Sequence, residues 1–122
     1  MIATREPERL YSGLSVLVST AADGADCAGL LAFGGLALFL DDDLPRLAQE
    51  PDRTPSLGWG GRETFGRSLG ELRDTALDLD TLKLYACAAS VETMAVDVER
   101  LDGVLSIPRF LREAAGTRLI FV

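Results

Sequence analysis

The residue best placed for chemistry in this chain is Cys87, which directly follows the apolar run Leu82–Ala86. Three small residues come next and begin a segment that can form a helix, namely Ala88, Ala89 and Ser90. A thiol at the N-terminus of a helix lies at the positive end of the helix dipole, which favours the thiolate. Because a thiolate attacks a sulfur atom without a proton relay, sulfur exchange is the chemistry that this position allows. The alternative is an inert buried cysteine, since free cysteine is among the most buried residue types.

The composition excludes most other reactions. The chain has 122 residues, two cysteines and no histidine, which removes Ser-His-Asp and Cys-His hydrolysis and histidine-ligated metals. Two cysteines are also too few for a four-ligand zinc site, so neither a metal nor another cofactor is predicted. With 19 acidic and 12 basic side chains, the net charge of −7 argues against binding to nucleic acid, which needs a basic surface.

Acidic side chains follow two other apolar runs, and both sets have simpler explanations than a metal site. Asp23 lies where it would cap a predicted helix over 23–34. The run Asp41–Asp43 could hold a hard cation, but adjacent residues of an extended chain point in alternating directions and converge poorly. Because Asp43 precedes Leu44-Pro45, a pattern typical of a helix N-terminus, capping is the favoured interpretation.

Two further residues are candidates for supporting roles. Cys27 lies near the start of the predicted helix 23–34. If the first and third predicted strands are neighbours, a transient Cys27–Cys87 disulfide is conceivable, although packing as a small residue is favoured. Trp59 is the only tryptophan and lies in a long irregular stretch over 49–61. It either covers a pocket or, as we favour, fixes this loop to the body of the protein.

Short apolar runs typical of strands alternate along the chain with segments of helical periodicity, which predicts an α/β fold. Apolar runs predict strands over 14–19, 36–40, 82–86 and 118–122, with a shorter one over 103–107. Helical periodicity predicts helices over 23–34, 65–79, 90–98 and 108–115. The sequence therefore predicts a three-layer α/β/α sandwich with a mainly parallel, roughly five-stranded sheet of flavodoxin-like topology.

The length predicts a single α/β domain over 13–122, preceded by a polar segment over 1–12. The longest apolar run, 28–40, has 13 residues, whereas a membrane-spanning helix needs about 20, so no membrane association is predicted. The opening residues MIATREPERLYSG lack the layout of a signal peptide, which predicts a cytoplasmic protein with reduced thiols.

The segment Lys83–Leu101, KLYACAASVETMAVDVERL, resembles the second half of DsrE/DsrF-like sulfur-relay proteins, which share a TusD-like fold. Its most specific motif is Tyr85-Ala86-Cys87 with Met94 behind it, and a short strand, a helix and the final RLIFV follow as in that family. The first half, with LSVLVST and LALFLDDD, is similar more loosely. The resemblance implies a homo-oligomer, a trimer or hexamer, whose cysteine persulfide passes sulfur between donor and acceptor proteins.

Three hypotheses for the function remain open. In the first, the protein is a sulfurtransferase-like carrier, with a persulfide on Cys87 oriented by Ser90 and the backbone amides of Ala88 and Ala89. In the second, it is a structural or interaction subunit of the same fold with an unreactive Cys87. In the third, it is a small-molecule-binding module with a pocket at the strand ends under the Trp59 loop. The acidic surface suits docking to a basic partner protein in each case.

Overall fold

The computed structural model describes residues 1–117 and 122, except the side chain of Trp59. Helices and strands occur together along these residues, with three helices between the first two strands, which confirms the prediction of a mixed α/β fold. In chain order the elements are α1 (Pro7–Ala22), β1 (Cys27–Leu31), α2 (Phe33–Leu40), α3 (Leu44–Leu47), α4 (Trp59–Asp78), β2 (Leu82–Cys87), α5 (Ala88–Thr93), β3 (Gly103–Leu105) and α6 (Ile107–Glu113).

The three described strands form one parallel sheet in the order β1-β2-β3, with β2 in the centre. The register places Cys27 beside Leu82 at one end and Cys87 beside Leu105 at the other. The predicted parallel sheet is confirmed, but the described strands are three and follow one another in chain order, without the reversal of a flavodoxin-like topology. Residues 118–121 of the predicted last strand lie outside the described residues.

Two hydrophobic clusters cover opposite faces of this sheet. Successive side chains of a strand point to opposite faces, and the neighbours Leu30 and Leu31 accordingly belong to different clusters. The larger cluster lies under α1 to α4 and includes the fully buried Leu14 and Phe39. The smaller cluster lies under α6, which contributes Phe110. The described residues therefore form helix, sheet and helix layers, with α6 as the thinner outer layer.

Three predicted elements in the first third of the chain are wrong. The stretch 14–19 belongs to α1, 36–40 belongs to α2, and the predicted helix 23–34 contains β1. In α1 the buried Leu10, Leu14 and Ala21 follow helical spacing, which outweighs the strand preference of the intervening valines. Helix α2 is apolar on almost every side, so its sequence lacks the polar contrast that separates a short buried helix from a strand.

The elements of the second half follow the prediction closely. Strand β2 lies at the predicted 82–86, β3 covers the first part of the predicted 103–107, and α6 matches the helix predicted over 108–115. Helix α4 includes most of the predicted 65–79 but begins six residues earlier. Helix α5 starts two residues earlier than predicted and ends at Thr93. Asp102 links β2 to the turn before β3, since its N–H donates to the Leu84 carbonyl and its carboxylate accepts from the Leu84 N–H, both at 2.8 Å.

The first twelve residues, expected to be a polar segment ahead of the domain, contribute to the fold. Ile2 is 3% exposed and forms a parallel bridge to Leu31 on the edge of β1 away from β2. Helix α1 begins at Pro7, where the missing N–H of proline is tolerated because this position has no helical acceptor.

Candidate functional site

Cys87 ends the central strand β2 and is the N-cap residue of α5. It therefore lies at the carboxyl end of a parallel sheet, the edge at which open α/β sheets bind their ligands. This confirms the strand–cysteine–helix arrangement that the sequence predicts. Helix α5 comprises only six residues.

The Cys87 side chain is completely buried in the smaller hydrophobic cluster, with an exposed fraction of 0%. Leu30 and Ala32 of the β1 edge, Leu105 of β3 and Phe110 of α6 belong to the same cluster. These side chains keep water away from the sulfur atom. Any reaction of this thiol therefore requires part of the cover, of which α6 is the outermost element, to move.

Ser90 is also completely buried, and its hydroxyl connects α5 to the beginning of α2. Its Oγ accepts a hydrogen bond of 2.8 Å from the backbone N–H of Phe33, 57 residues away in the chain. The hydroxyl oxygen is thus engaged with the turn that follows β1. An orienting role of Ser90 toward a persulfide stays a prediction.

The turn after β1 holds Phe33 in a backbone conformation that residues other than glycine rarely adopt. Its φ is +44°, in the left-handed region, which costs roughly 1–2 kcal/mol for an ordinary residue. The ring is 46% exposed, so packing in the core does not explain the choice of residue. Sequence reasoning missed this turn; its only signal is the pair Gly34-Gly35 directly after an apolar run.

The structure describes two of the other residues predicted to surround Cys87 in full, and a third only in its backbone. Ala88 and Ala89 form the first turn of α5, where Ala88 is half-buried and Ala89 is exposed. Trp59 begins α4, which shortens the irregular stretch predicted over 49–61, and its side chain lies outside the described residues.

Cys27 lies at the opposite end of the sheet from Cys87, so the structure does not bring together the two thiols for which a transient disulfide was conceivable. Cys27 pairs with Leu82, five residues before Cys87, in the register of β1 and β2. At about 3.3 Å per residue this puts the cysteines roughly 17 Å apart along the sheet, far beyond the reach of a disulfide. Burial, and secondarily the charge of Asp26, raises the pKa of the Cys27 thiol.

The aspartates singled out in the sequence have local structural roles. Asp23 is the C-terminal cap residue of α1 and does not start a helix, so its predicted role is wrong. Asp43 occupies the predicted N-cap position of α3, but its side chain makes no capping hydrogen bond, and its carboxylate lies 3.2 Å from Arg46. The carboxylate of Asp41 accepts the N–H of Asp43 at 2.8 Å. Within the described part of the chain, no three potential metal-ligating side chains come together.

A cavity of about 470 Å³ opens beside the turn after β1. Phe33 and Gly34 line it at the start of α2, and Met94 lines it just after α5. Two arginines reach it from different directions, Arg5 from the segment before α1 and Arg53 from the loop before α4. The irregular stretch before α4 therefore borders this cavity through Arg53.

Comparison with known proteins identifies no family for this chain. No protein-family model and no curated protein sequence matches it. Among the described residues, no helix is both long enough and apolar enough to cross a membrane.

Proposed function

We propose that this protein carries sulfane sulfur as a persulfide on Cys87 and passes it between a donor and an acceptor protein in the cytoplasm. The observation that carries the proposal is the position of Cys87 at the carboxyl end of the central parallel strand, directly before α5. The similarity of Lys83–Leu101 to sulfur-relay proteins supports it. The proposal extends to a homotrimer or hexamer, and to a sheet of about five strands to which 118–122 would contribute.

The proposed chemistry requires neither a metal nor a proton relay. The Cys87 thiolate attacks the outer sulfur of a donor persulfide, the donor S–S bond breaks, and the donor leaves as its thiolate. Cys87 then bears one additional sulfur, and an acceptor thiolate removes it by the same displacement. No net oxidation or reduction occurs, so the transfer needs no further reactant.

The apolar cover over Cys87 fits storage of a persulfide between transfers. A persulfide is readily lost to oxidants and to other thiols, and a water-free cluster of Leu30, Leu105 and Phe110 would protect it. Donor and acceptor would then react only while α6 is displaced, which makes partner docking part of the transfer.

The complete burial of Cys87 also supports a second candidate function. A fully buried cysteine is equally suited to a non-catalytic structural or interaction subunit, in which the thiol serves only as a packing residue. The two candidates differ in whether the native protein accepts sulfur at this residue.

The test is mass spectrometry of the native protein after incubation with inorganic polysulfide. We expect an increase of about 32 Da per sulfur on the peptide that contains Cys87, in the natural sequence and in Cys27→Ala. Cys87→Ala should lack this adduct. If Cys87 gains sulfur only after denaturation, the sulfur-relay proposal is wrong and the structural role is favoured.

A further inference from the structure

We propose that the cavity beside the turn after β1 binds a small organic anion, a carboxylate or sulfonate attached to an apolar group. Its volume of about 470 Å³ falls within the range of small-molecule sites. Cys87 does not line this cavity, so the proposal goes beyond the sulfur chemistry and does not depend on it.

The charge of the lining indicates an anionic ligand. The chain as a whole carries a net charge of −7, yet two arginines and one aspartate, Arg5, Arg53 and Asp41, line the cavity. Arg53 is neutralised in part, because its Nε lies 3.2 Å from the carboxylate of Glu50. Arg5 has no carboxylate within ion-pair distance among the described residues, so its guanidinium is available to an incoming anion.

Gly34 is the residue that allows Arg5 to reach this place. A Cβ at position 34 would collide with Cγ of Arg5, so the stem of the arginine passes directly over the glycine backbone. A Cβ at the next residue, Gly35, would collide with the backbone of Ile2. The two glycines therefore let the segment before α1 cross the start of α2 and bring a positive charge to the rim of the cavity.

The rest of the wall suits the apolar part of such a ligand. Phe33 presents a half-exposed ring to the cavity in a strained backbone conformation that the Ser90 hydroxyl holds in place. Met94 provides a flexible apolar surface, which adapts readily to ligands of different shape. An aromatic ring, a methionine and a guanidinium that has no ion pair among the described residues together match an aryl or alkyl group that carries one negative charge.

Binding can be measured with benzenesulfonate and with its neutral analogue benzenesulfonamide, by following backbone amide signals in NMR titrations. We expect benzenesulfonate to shift the signals of Gly34 and Met94 and to bind at least about ten-fold more tightly than the sulfonamide. Arg5→Gln should weaken benzenesulfonate binding by about ten-fold. Arg112→Gln, which removes another exposed arginine without an ion pair among the described residues, should leave it unchanged.

Three outcomes would overturn the proposal. The charged and neutral compounds could bind equally, Arg5→Gln could have no effect beyond that of Arg112→Gln, or benzenesulfonate could cause no shifts at Gly34 up to about 10 mM. The amide spectrum of Arg5→Gln shows whether the variant is folded. If Arg5→Gln does not fold, Arg53→Gln provides the same comparison from the other side of the cavity.

Discussion

The two cysteines differ in the properties that govern thiol reactivity. Cys27 is partly exposed at the amino end of β1, whereas Cys87 is fully buried at the carboxyl end of β2. Burial is the main reason why the pKa of Cys27 is raised, and the negative charge of Asp26 adds to it. At neutral pH Cys27 is therefore a poor nucleophile despite its exposure.

Alkylation kinetics should report this directly. In the Cys87→Ala protein, iodoacetamide should modify Cys27 more slowly at pH 8 than it modifies glutathione, and the rate should rise with pH. Asp26→Asn should raise the rate by about two-fold at low salt, whereas Asp23→Asn should not. The pKa of the Cys27 thiol in the folded protein lies above the ordinary value of 9.0. The contribution of this thiol to the free energy of unfolding is therefore present below pH 9.0 and is lost as the pH rises through the folded pKa. A rate equal to that of glutathione would contradict this account.

Sequence reasoning could locate Cys87 because its setting is local: an apolar strand before it and small residues after it. It could not pair Ser90 with Phe33, because that hydrogen bond joins residues 57 positions apart. Nor could it place Arg5 and Arg53 on one cavity, since no periodicity relates a residue before the first helix to one in a distant loop.

At the scale of elements, the second half of the chain was predictable and the first was not. Helix α4 is long and amphipathic, and β2 follows a turn at Asp80 and Thr81, so local pattern and tertiary environment agree. In α1 the run 14–19 locally favours a strand. The helix forms because the face of α1 that carries Leu10, Leu14 and Ala21 packs against the sheet and α4. Because the first strand was predicted within α1, the residues of β1 were predicted to be the helix that follows a strand.

Two glycines form the contact between α4 and α3 and give a sharp test of this packing. A Cβ at Gly66 would collide with the Pro45 carbonyl, and one at Gly70 would lie 2.9 Å from the Pro45 ring. We expect Gly66→Ala to lower the free energy of unfolding by about 1–3 kcal/mol. Gly61→Ala, in the same helix with open space around its Cβ, should raise it by about 0.5–1 kcal/mol. Urea denaturation measures both, and equal effects would mean that the two helices do not pack this closely.

At the scale of the whole molecule, the described residues protect the two faces of the sheet unequally. Helices α1 to α4 bury one face under a large cluster, whereas the seven-residue α6 covers Cys87 on the other. A thin layer with few buried contacts opens at a lower free energy than the rest of the fold. Cys87 should therefore become accessible through local opening of α6 without global unfolding.

Thiol labelling of the Cys27→Ala protein tests this expectation. The labelling rate of Cys87 should depend little on urea at low concentration, because local opening exposes little surface. Phe110→Ala should accelerate labelling by more than about ten-fold, since it removes the buried anchor of α6. The control Leu111→Ala, at the residue after Phe110, should not accelerate labelling, because Leu111 is 39% exposed. Labelling that follows the urea dependence of global unfolding would show that α6 does not open separately.

The register of the sheet also determines the order in which the chain can assemble. Each β1 residue pairs with the β2 residue 55 positions later, from 27 to 82, whereas β2 and β3 pair across 18 positions, from 85 to 103. Closing the longer loop costs more chain entropy, so we expect the β2–α5–β3 unit to form before β1 joins it. Because doubling a flexible loop adds only about 0.6 kcal/mol to that cost, the irregular stretch ahead of α4 can change length in evolution while the strand pairing on either side of Cys87 stays the same.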